Sequence, residues 1–409
     1  MNKRINLFAA NTLCHTNSFH LLLQPIHKVW DTITPLLSGC NRTMKFDFKH
    51  MIQTLIFFHL KGFDSGRDLL QALKDDPFAR EVVAPADGLG KSTFFEALNT
   101  RGVRQLMELF QALQQQARKV LPNLHPDLGD LVAIDGSLIQ AVASMHFADY
   151  RKGCRKAKVH LGFGINHGIP LKAFLSAGKT DERPYVGKIL DKGQTGVMDR
   201  YYQCHRLFDQ WQEDGVHFIC RIKKSTTLST RSQRTLPEGS MIFMDVTALL
   251  GSTEDNRTKK PVRVVAYRVD GKEYYIATNR LDITAEQVAQ AYKLRWDIEI
   301  FFGWWKRHLR VYHLIARSEH GLMVQILAGL ITYLLLAIYC QEQHKEAVSI
   351  KRVRELRAKI YQELMENAAT NGFSPHSPPD CVLPRAGDST RITMQLSNRT
   401  TLTITEISV

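Results

Sequence analysis

The 409-residue sequence lacks the closely spaced cysteine pairs that build zinc sites and disulfide frameworks. Its seven cysteines are an odd number and are widely scattered, at positions 14, 40, 154, 204, 220, 340 and 381. We therefore expect neither kind of site, and this cysteine usage fits a reducing cytoplasm. The apolar stretch at residues 5–13 is interrupted by Asn6, Asn11 and Thr12, so no secretory signal peptide is expected.

Acidic residues are few relative to basic ones. The 40 acidic and 54 basic side chains leave a net charge of +14, which favours a polyanionic partner, with nucleic acid ahead of an anionic membrane surface. Hydrophobic residues make up 44% and charged residues 23%, and this composition excludes wholesale disorder, collagen-like repeats and coiled-coil fibres. The length favours two or three domains.

Long uncharged apolar runs are also scarce, and the one at residues 321–340 is close to the length that spans a bilayer. Gln325 interrupts it, and it stands alone in a long basic chain. We interpret the run as a buried core helix that is apolar on all sides, and a single membrane span is the alternative.

The pattern of apolar residues changes twice along the chain. Residues 1–125 are mostly helical in pattern, and Thr93 with Glu96 predicts a capping box before the apolar run 94–113. Gly90, Lys91 and Ser92 do not complete a phosphate-binding loop, because Pro85 stands where its first glycine would be. Short apolar runs then predict an α/β arrangement, with strands at 131–134, 159–165, 169–175, 197–198 and 216–222 and a helix near 204–211.

The turn formers at 166–168 predict that the second and third of these strands form a hairpin. Residues 223–281 have no helical period and are basic, and they predict an inserted β-rich region. Thr284 and Gln287 form a second predicted capping box that opens a long helix through Leu309. A charged helix at 351–365 precedes a C-terminal tail.

Two aspartates follow predicted strands. Asp135 comes directly after the apolar run 131–134, and Asp199 directly after 197–198. The carboxyl ends of strands are where ligands collect in open α/β sheets. Either aspartate alone could equally form a salt bridge or a helix cap. Asp181 and Glu182 lie between them in a turn-like stretch, and we rank both below Asp199 as site residues.

Tyr292, Arg295, Glu299 and Lys306 form a polar stripe on the predicted long helix. At ~100° per residue they fall near 0°, −60°, −20° and −40°, so all four can serve one site. A solvated charged face is the alternative, but apolar residues crowd both sides of Glu299. Three carboxylates, at 135, 199 and 299, would together form a pocket for divalent cations, and Mg²⁺ favours such oxygen ligands.

On these residues the sequence resembles a DDE transposase of the insertion sequence four family. The Tyr-Arg-Glu-Lys spacing at 292–306 is that of the family's C-terminal signature, and Asp135 and Asp199 match its two acidic motifs. Lys158 and His160 resemble the basic pair that follows the first motif. Arg200 follows the second aspartate as in the family, but Tyr201 replaces the usual glycine.

The resemblance covers roughly residues 130–340 and implies an RNase H-like catalytic core with a β-rich insertion and a helical N-terminal domain that binds DNA. The implied divisions are 1–125 (helical, DNA-binding), 126–222 (core, first part), 223–281 (insertion), 282–345 (core, second part) and 346–409 (C-terminal helix and tail). Asp135, Asp199 and Glu299 would be the catalytic residues and the ligands of Mg²⁺, with Mn²⁺ also possible. Phosphate or DNA contacts would come from Tyr292, Arg295, Lys306, Lys158, His160 and Arg200.

The implied activity is cut-and-paste transposition through a hairpin intermediate. The implied partner is double-stranded DNA, both the terminal inverted repeats and the target. The protein would bind this DNA as a homodimer. Its expected location is the cytoplasm, in association with the nucleoid and without attachment to a membrane. Trp304 and Trp305 could stack on an unpaired base, with a core position as the alternative for Trp305. A catalytically inactive DNA-binding transposition inhibitor on the same fold is the alternative function.

Overall fold

The computed structural model describes residues 18–37, 44–236 and 238–370. The predicted C-terminal tail lies outside these residues. The N-terminal part is helical, as predicted, and its helices are α1 (Ser18–Val29), α2 (Phe48–Lys61), α3 (Gly66–Asp75), α4 (Lys91–Thr100) and α5 (Val103–Val120).

The capping box predicted at Thr93 is wrong. Helix α4 already begins at Lys91, with Gly90 as an N-cap that provides no side chain, so Thr93 lies within the first turn. The apolar run that follows is divided between α4 and α5 by Gly102, whose φ of 89° is left-handed. A Cβ at Gly102 would lie 2.8 Å from Met51 Cε, so the close approach of α2 requires glycine at this break.

The middle of the chain forms the strands of a large mixed sheet. They are β1 (Leu131–Gln140), β2 (Asp149–Arg151), β3 (Cys154–Gly164), β4 (Ile169–Ala177), β5 (Thr195–Met198), β6 (His217–Arg221), β7 (Leu228–Gln233), β8 (Ile242–Leu250), β9 (Val262–Val269) and β10 (Lys272–Thr278). Between them lie the short α6 (Val186–Ile189) and α7 (His205–Glu213).

The strand order is β2-β3-β1-β5-β6-β10-β9-β8-β7, with β4 paired to β3. The antiparallel pair β3–β4 confirms the predicted hairpin. Strands β1, β5 and β6 are parallel neighbours. Strands β7 to β10 fall within the predicted β-rich insertion, and they continue the same sheet because β10 pairs with β6.

Strand β1 is longer than the sequence predicts. It pairs with β3 as far as Gln140, so Asp135 lies in the middle of the strand and not at its end. The parallel partner β5 stops at Met198, however, so the second half of β1 has no strand on that side. Asp135 therefore lies at the carboxyl end of the parallel part of the sheet, as the ligand-site argument requires.

The C-terminal helices are α8 (Ala285–Leu294), α9 (Trp296–His308), α10 (Glu319–His344) and α11 (Ile350–Thr370). The capping box of Thr284 and Gln287 is confirmed. The predicted single long helix is instead broken at Arg295, where backbone bonds of the i→i−3 type replace the regular ladder. Arg295 keeps helical angles, φ −52° and ψ −30°, so the polar stripe continues across the break.

Helix α10 is the buried core helix that the sequence predicts. Within the described residues it is the one helix long and apolar enough to cross a membrane, and 89% of its most apolar stretch is buried inside the protein. Helices α1, α2, α4 and α5 pack around it. Gln325, which interrupts the run, is fully buried, and its amide caps the backbone of Ile315 and His313.

Candidate active site

Asp135 and Asp199 lie level with one another on neighbouring parallel strands. The register pairs Ala133 with Val197, and its continuation by two residues brings Asp135 beside Asp199. Side chains at the same level of adjacent strands point to the same face of a sheet. The two carboxylates therefore share one face, and the charge of Asp199 contributes to raising the pKa of Asp135.

Glu299 lies on helix α9 and is linked to this face through Arg295. The helix packs against β1, and the ring of Phe301 lies 5.0 Å from that of Phe163, which pairs with Ala133. Arg295 Nη2 donates to Glu299 Oε1 at 2.5 Å, and the Arg295 guanidinium is also attracted by Asp135. The half-buried arginine therefore links the glutamate on the helix to the first aspartate on the sheet.

The Asp135 carboxyl is held in an environment that disfavours its charge. Burial raises its pKa from 3.8 to about 7, and the nearby carboxylates of Glu182 and Asp199 act in the same direction. A hydrogen bond from the Gly136 amide, at 2.8 Å, and the charge of Arg295 oppose the shift only in part. Burial of the carboxyl, more than the neighbouring charges, therefore makes its ionised form costly in the protein alone.

A divalent cation would stabilise the ionised form of this buried carboxyl, and carboxylate oxygens are the donor set that Mg²⁺ prefers. Within the described ranges, no three Asp, Glu, His or Cys side chains are already drawn together closely enough to hold a metal ion. The Glu299 carboxylate is engaged by Arg295 in this conformation. Asp135, Asp199 and Glu299 could hold a cation once that ion pair opens.

The other two residues of the polar stripe contact the same region. Tyr292 is buried on α8, with the Arg295 guanidinium 6.0 Å from its ring centroid and Asp199 near enough to influence its hydroxyl. Lys306 Nζ donates to the backbone carbonyl of Leu138, on the second half of β1, at 3.3 Å. Tyr292 therefore lies near Asp199, and Lys306 contacts β1 three residues after Asp135.

Lys158 and His160 lie on β3, and their side chains point to the face of the sheet opposite to that of Asp135. Lys158 pairs across the strands with Leu138, and His160 with Gly136, so their side chains alternate with that of Asp135. His160 is 1% exposed and stacks on Tyr185 at 3.7 Å, and burial lowers its pKa to about 4. It is therefore neutral near pH 7 and does not offer the positive charge expected for a phosphate contact.

Glu182 is a residue of this region that sequence reasoning ranked too low. Its carboxylate accepts a hydrogen bond from Tyr202, three residues after Asp199, at 2.9 Å, and it pairs with Lys158 at 2.9 Å. A Cβ on Gly136 would come within 2.5 Å of the same carboxyl group. Glu182 thus joins β3, the turn after Asp199 and the backbone next to Asp135. In the sequence, Gly136 was the one signal that another group packs closely against the backbone next to Asp135.

The turn after Asp199 accommodates the tyrosine that replaces the family's usual glycine. Asp199 accepts a hydrogen bond from the Tyr201 amide at 2.8 Å and opens a 3₁₀ turn at Arg200–Tyr202. Tyr201 does not have a positive φ, so this backbone does not require glycine. Its ring is 54% exposed and lies near the Arg183 guanidinium.

An open cleft of about 1150 Å³ begins at Asp199 and extends toward the loop between β8 and β9. Its basic residues are Arg183, Arg200, Arg206, Lys223, Arg257 and Lys259. Its acidic residues are Asp199, Glu254, Asp255 and Asp209, the last of which accepts hydrogen bonds from the backbone amides of Lys259 and Lys260. The six basic side chains outnumber the four acidic ones, so the cleft has a mixed lining with a basic excess.

The aromatic residues of α9 have separate positions. Trp305 is fully buried in the core, which confirms the alternative stated for it. Trp304 packs against Tyr333 and His308. Trp296, one residue after Arg295, is 57% exposed.

Comparison with known proteins defines the class to which this sheet and its acidic residues belong. Residues 126–335 match the model of the transposase DDE domain, a span of half the chain that includes Asp135, Asp199 and Glu299. The chain belongs to this family of transposases.

Among similar proteins, the chain is 28% identical over 216 residues to a probable transposase for insertion sequence element IS5377 of Geobacillus stearothermophilus, covering 52% of this chain and 57% of that protein. It is 22% identical over 284 residues to a protein assigned as the transposase for element IS4SA of Synechocystis, covering 67% of this chain and 78% of that protein. The first match thus spans little more than half of that relative. The resemblance to insertion-sequence transposases is confirmed at the level of the family.

Proposed function

We propose that this protein cleaves and joins DNA strands at the inverted-repeat ends of an insertion sequence, with Asp135, Asp199 and Glu299 as the catalytic carboxylates. The observation that carries the proposal is the level placement of the two aspartates, together with Arg295, which pairs with Glu299 on α9 and is attracted by Asp135. Burial disfavours the unpaired charge of Asp135, and this supports binding of a divalent cation, Mg²⁺ or Mn²⁺, beside it. When bound, two such ions supply the charge that activates the attacking oxygen and stabilises the leaving oxygen.

The residues of the polar stripe would hold the scissile phosphate. Arg295 would contact phosphate oxygens through its planar guanidinium once it parted from Glu299. Lys306 and the Tyr292 hydroxyl approach the same phosphate from either side along the helix. Arg200 and the basic cleft beside Asp199 would follow the DNA backbone away from the site.

We assign Lys158 and His160 a different part in this proposal. Lys158 forms an ion pair with Glu182, and His160 is buried and neutral. Both therefore support the site from the opposite face of the sheet and do not contact phosphate.

The proposed reaction is a series of in-line displacements at phosphorus. Water attacks first, a new P–O bond forms, and the 3′ oxygen leaves as a hydroxyl. That hydroxyl then attacks a phosphorus of the opposite strand, a hairpin forms, and the 3′ oxygen of the flanking DNA leaves as a hydroxyl. Water opens the hairpin at the same phosphorus and releases the 3′-hydroxyl again. This hydroxyl finally attacks a phosphorus of the target DNA, where a 3′ oxygen of the target leaves. We further propose an RNase H-like core within 126–345, DNA binding by residues 1–125, and a homodimer that brings two ends together.

Cleavage of DNA that carries both flanks of the gene tests the proposal. Wild-type protein should nick the inverted-repeat ends with Mg²⁺ and not with EDTA. Asp135→Asn, Asp199→Asn and Glu299→Gln should abolish nicking and preserve DNA binding. Asp297→Asn, on the same helix as Glu299, is the matched control and should remain active. Wild-type protein that binds the ends but never cuts them would instead support the inactive DNA-binding alternative.

A further inference from the structure

A second basic site lies away from the acidic residues, where three helices meet. The end of α2, the end of α9 and the beginning of α11 enclose a cavity of about 160 Å³, which has room for roughly five waters at about 30 Å³ each. Its charged lining consists of Lys61, Arg307, Arg310, Arg354 and Arg357, together with His308. Among the residues that the structure describes, none with an acidic side chain lines it.

These cations are poorly compensated. Arg310 pairs with Asp64 at 3.2 Å, at the rim. Within the part of the chain that the structure describes, no carboxylate lies at salt-bridge distance from the other four. Arg357 donates from Nη2 to the His308 carbonyl at 3.2 Å, but its buried Nε has no hydrogen-bond partner.

The basic side chains also disfavour one another's charge. Burial, followed by the charges of Arg310 and Arg354, lowers the pKa of Arg357 below its ordinary value. Burial lowers the pKa of Lys61, and burial with three neighbouring arginines lowers that of His308. Such an arrangement costs stability in the protein alone, and an anion in the cavity would relieve it.

Helix ends do not account for the whole cluster. Cations near the last turns of α2 and α9 are favoured by the helix dipole, which explains Lys61, Arg307 and His308. Arg354 and Arg357 lie in the first two turns of α11, where the dipole favours acidic residues. Arg310 is held at a left-handed φ of 52°, which side chains other than glycine rarely adopt.

We propose that this cavity is a binding site for a phosphate group. The partly buried Arg357 and the exposed Arg354 supply contacts from α11, and Arg307 and Arg310 supply them from the side of α9. Arginine forks match phosphate oxygens in charge and in geometry.

The phosphate could belong to the DNA backbone or to a free phosphate compound, and DNA is the source favoured here. Arg307 lies eight residues after Glu299 on α9, about 12 Å along the helix. DNA held at the acidic site could therefore extend to this cavity. That choice of source rests on the proposed function, but the presence of a phosphate site does not.

The variants Arg354→Gln, Arg357→Gln and their double variant remove charge and keep a polar side chain. Lys359→Gln is the matched control, because Lys359 is exposed on α11 and does not line the cavity. The first measurement is the dependence of duplex DNA affinity on salt concentration. The slope should fall by about 0.9 for each lost phosphate contact. The second is thermal unfolding in inorganic phosphate and in chloride at matched ionic strength.

Inorganic phosphate should raise the Tm of the wild type and of Lys359→Gln, but not that of the double variant. In chloride the arginine variants should be at least as stable as the wild type, because like charges are removed. If Arg357→Gln fails to fold, the exposed Arg354→Gln carries the test alone.

Loss of both the phosphate shift and part of the salt slope identifies DNA as the source. Loss of the phosphate shift with an unchanged slope identifies a free phosphate compound. A reduced slope without any phosphate shift in the wild type shows a site that needs the DNA backbone. If the arginine variants match Lys359→Gln in both measurements, the proposed site is refuted. Absence of DNA cleavage by the wild type would refute the proposed function and leave these results unaffected.

Discussion

Asp135→Asn should stabilise the folded protein in buffer without divalent cations, although it should abolish cleavage. The pKa of Asp135 is raised from 3.8 to about 7 in the fold, so the folded state binds a proton that the unfolded state has lost between these values. The free energy of unfolding therefore falls as the pH rises from about 4 through about 7. Asparagine has no titrating carboxyl group, so its contribution to the free energy of unfolding does not change over this range.

The size of the effect follows from the pKa difference. About three units at about 1.4 kcal/mol each set a ceiling of about 4 kcal/mol. Asp135 is partly exposed, and solvent screening should reduce the gain to about 2 kcal/mol. The variant should thus exceed the wild type by about 2 kcal/mol at pH 8, and the two should be equal near pH 4.

Urea unfolding at a series of pH values in EDTA measures this difference directly. Asp149→Asn is a control of opposite sign, since Lys179 lowers the pKa of Asp149 and the wild type should lose that contribution on acidification. Added Mg²⁺ should then stabilise the wild type at pH 8 more than Asp135→Asn, because binding to the folded state alone raises its stability. A wild type that is as stable as Asp135→Asn at pH 8 would show that the carboxylate is not strained, and the reasoning would fail.

Three further outcomes are expected. Glu182→Gln leaves the buried Lys158 unpaired and should lower the free energy of unfolding by about 3 kcal/mol, against less than about 1 kcal/mol for the exposed Asp181→Asn; equal losses in urea would contradict this. Asp245→Asn breaks the buried pair with Arg263 and should cost about 3–5 kcal/mol by the same measurement, and a loss under about 1 kcal/mol would refute the assignment. The His160 ring should show no NMR titration between pH 5 and pH 8, because burial lowers its pKa to about 4; a midpoint near 6.5 would mean that the ring is accessible to water.

Features set by neighbouring residues could be predicted from the sequence. The hairpin around residues 166–168 and the capping box at Thr284 need only local turn and cap chemistry. The long uncharged run could be assigned to the core because it is apolar on all sides. For the hairpin and the cap the decisive interaction lies within a few residues along the chain, and for the core helix the composition of the run itself is decisive.

Features set by distant contacts were missed. Helix α4 begins at Lys91 although Thr93 and Glu96 match a capping box, and the end of the helix is fixed by Gly102 against Met51. Strand β1 runs past Asp135 because β3 pairs with it, although glycine and serine there have little preference for strands.

Glu182 was missed for the same reason. Its partner Lys158 lies 24 positions earlier, on β3. The space that its carboxylate fills exists only because residue 136 has no side chain. The residues next to Glu182 in the sequence indicate neither its pairing with Lys158 nor its packing against Gly136.

The pairing of β1 with β5 ties the fold most closely to the proposed chemistry. Asp135 and Asp199 are 64 positions apart, and only the parallel register of Ala133 with Val197 brings them level. A slip of one residue would turn Asp199 to the other face of the sheet, because side chains alternate along a strand. The buried residues of β5 oppose such a slip, since it would carry Val197 and Met198 to new environments. Tyr201 lies beyond the paired part of β5, in a turn whose φ values suit any residue, so its replacement of the usual glycine leaves this register unchanged.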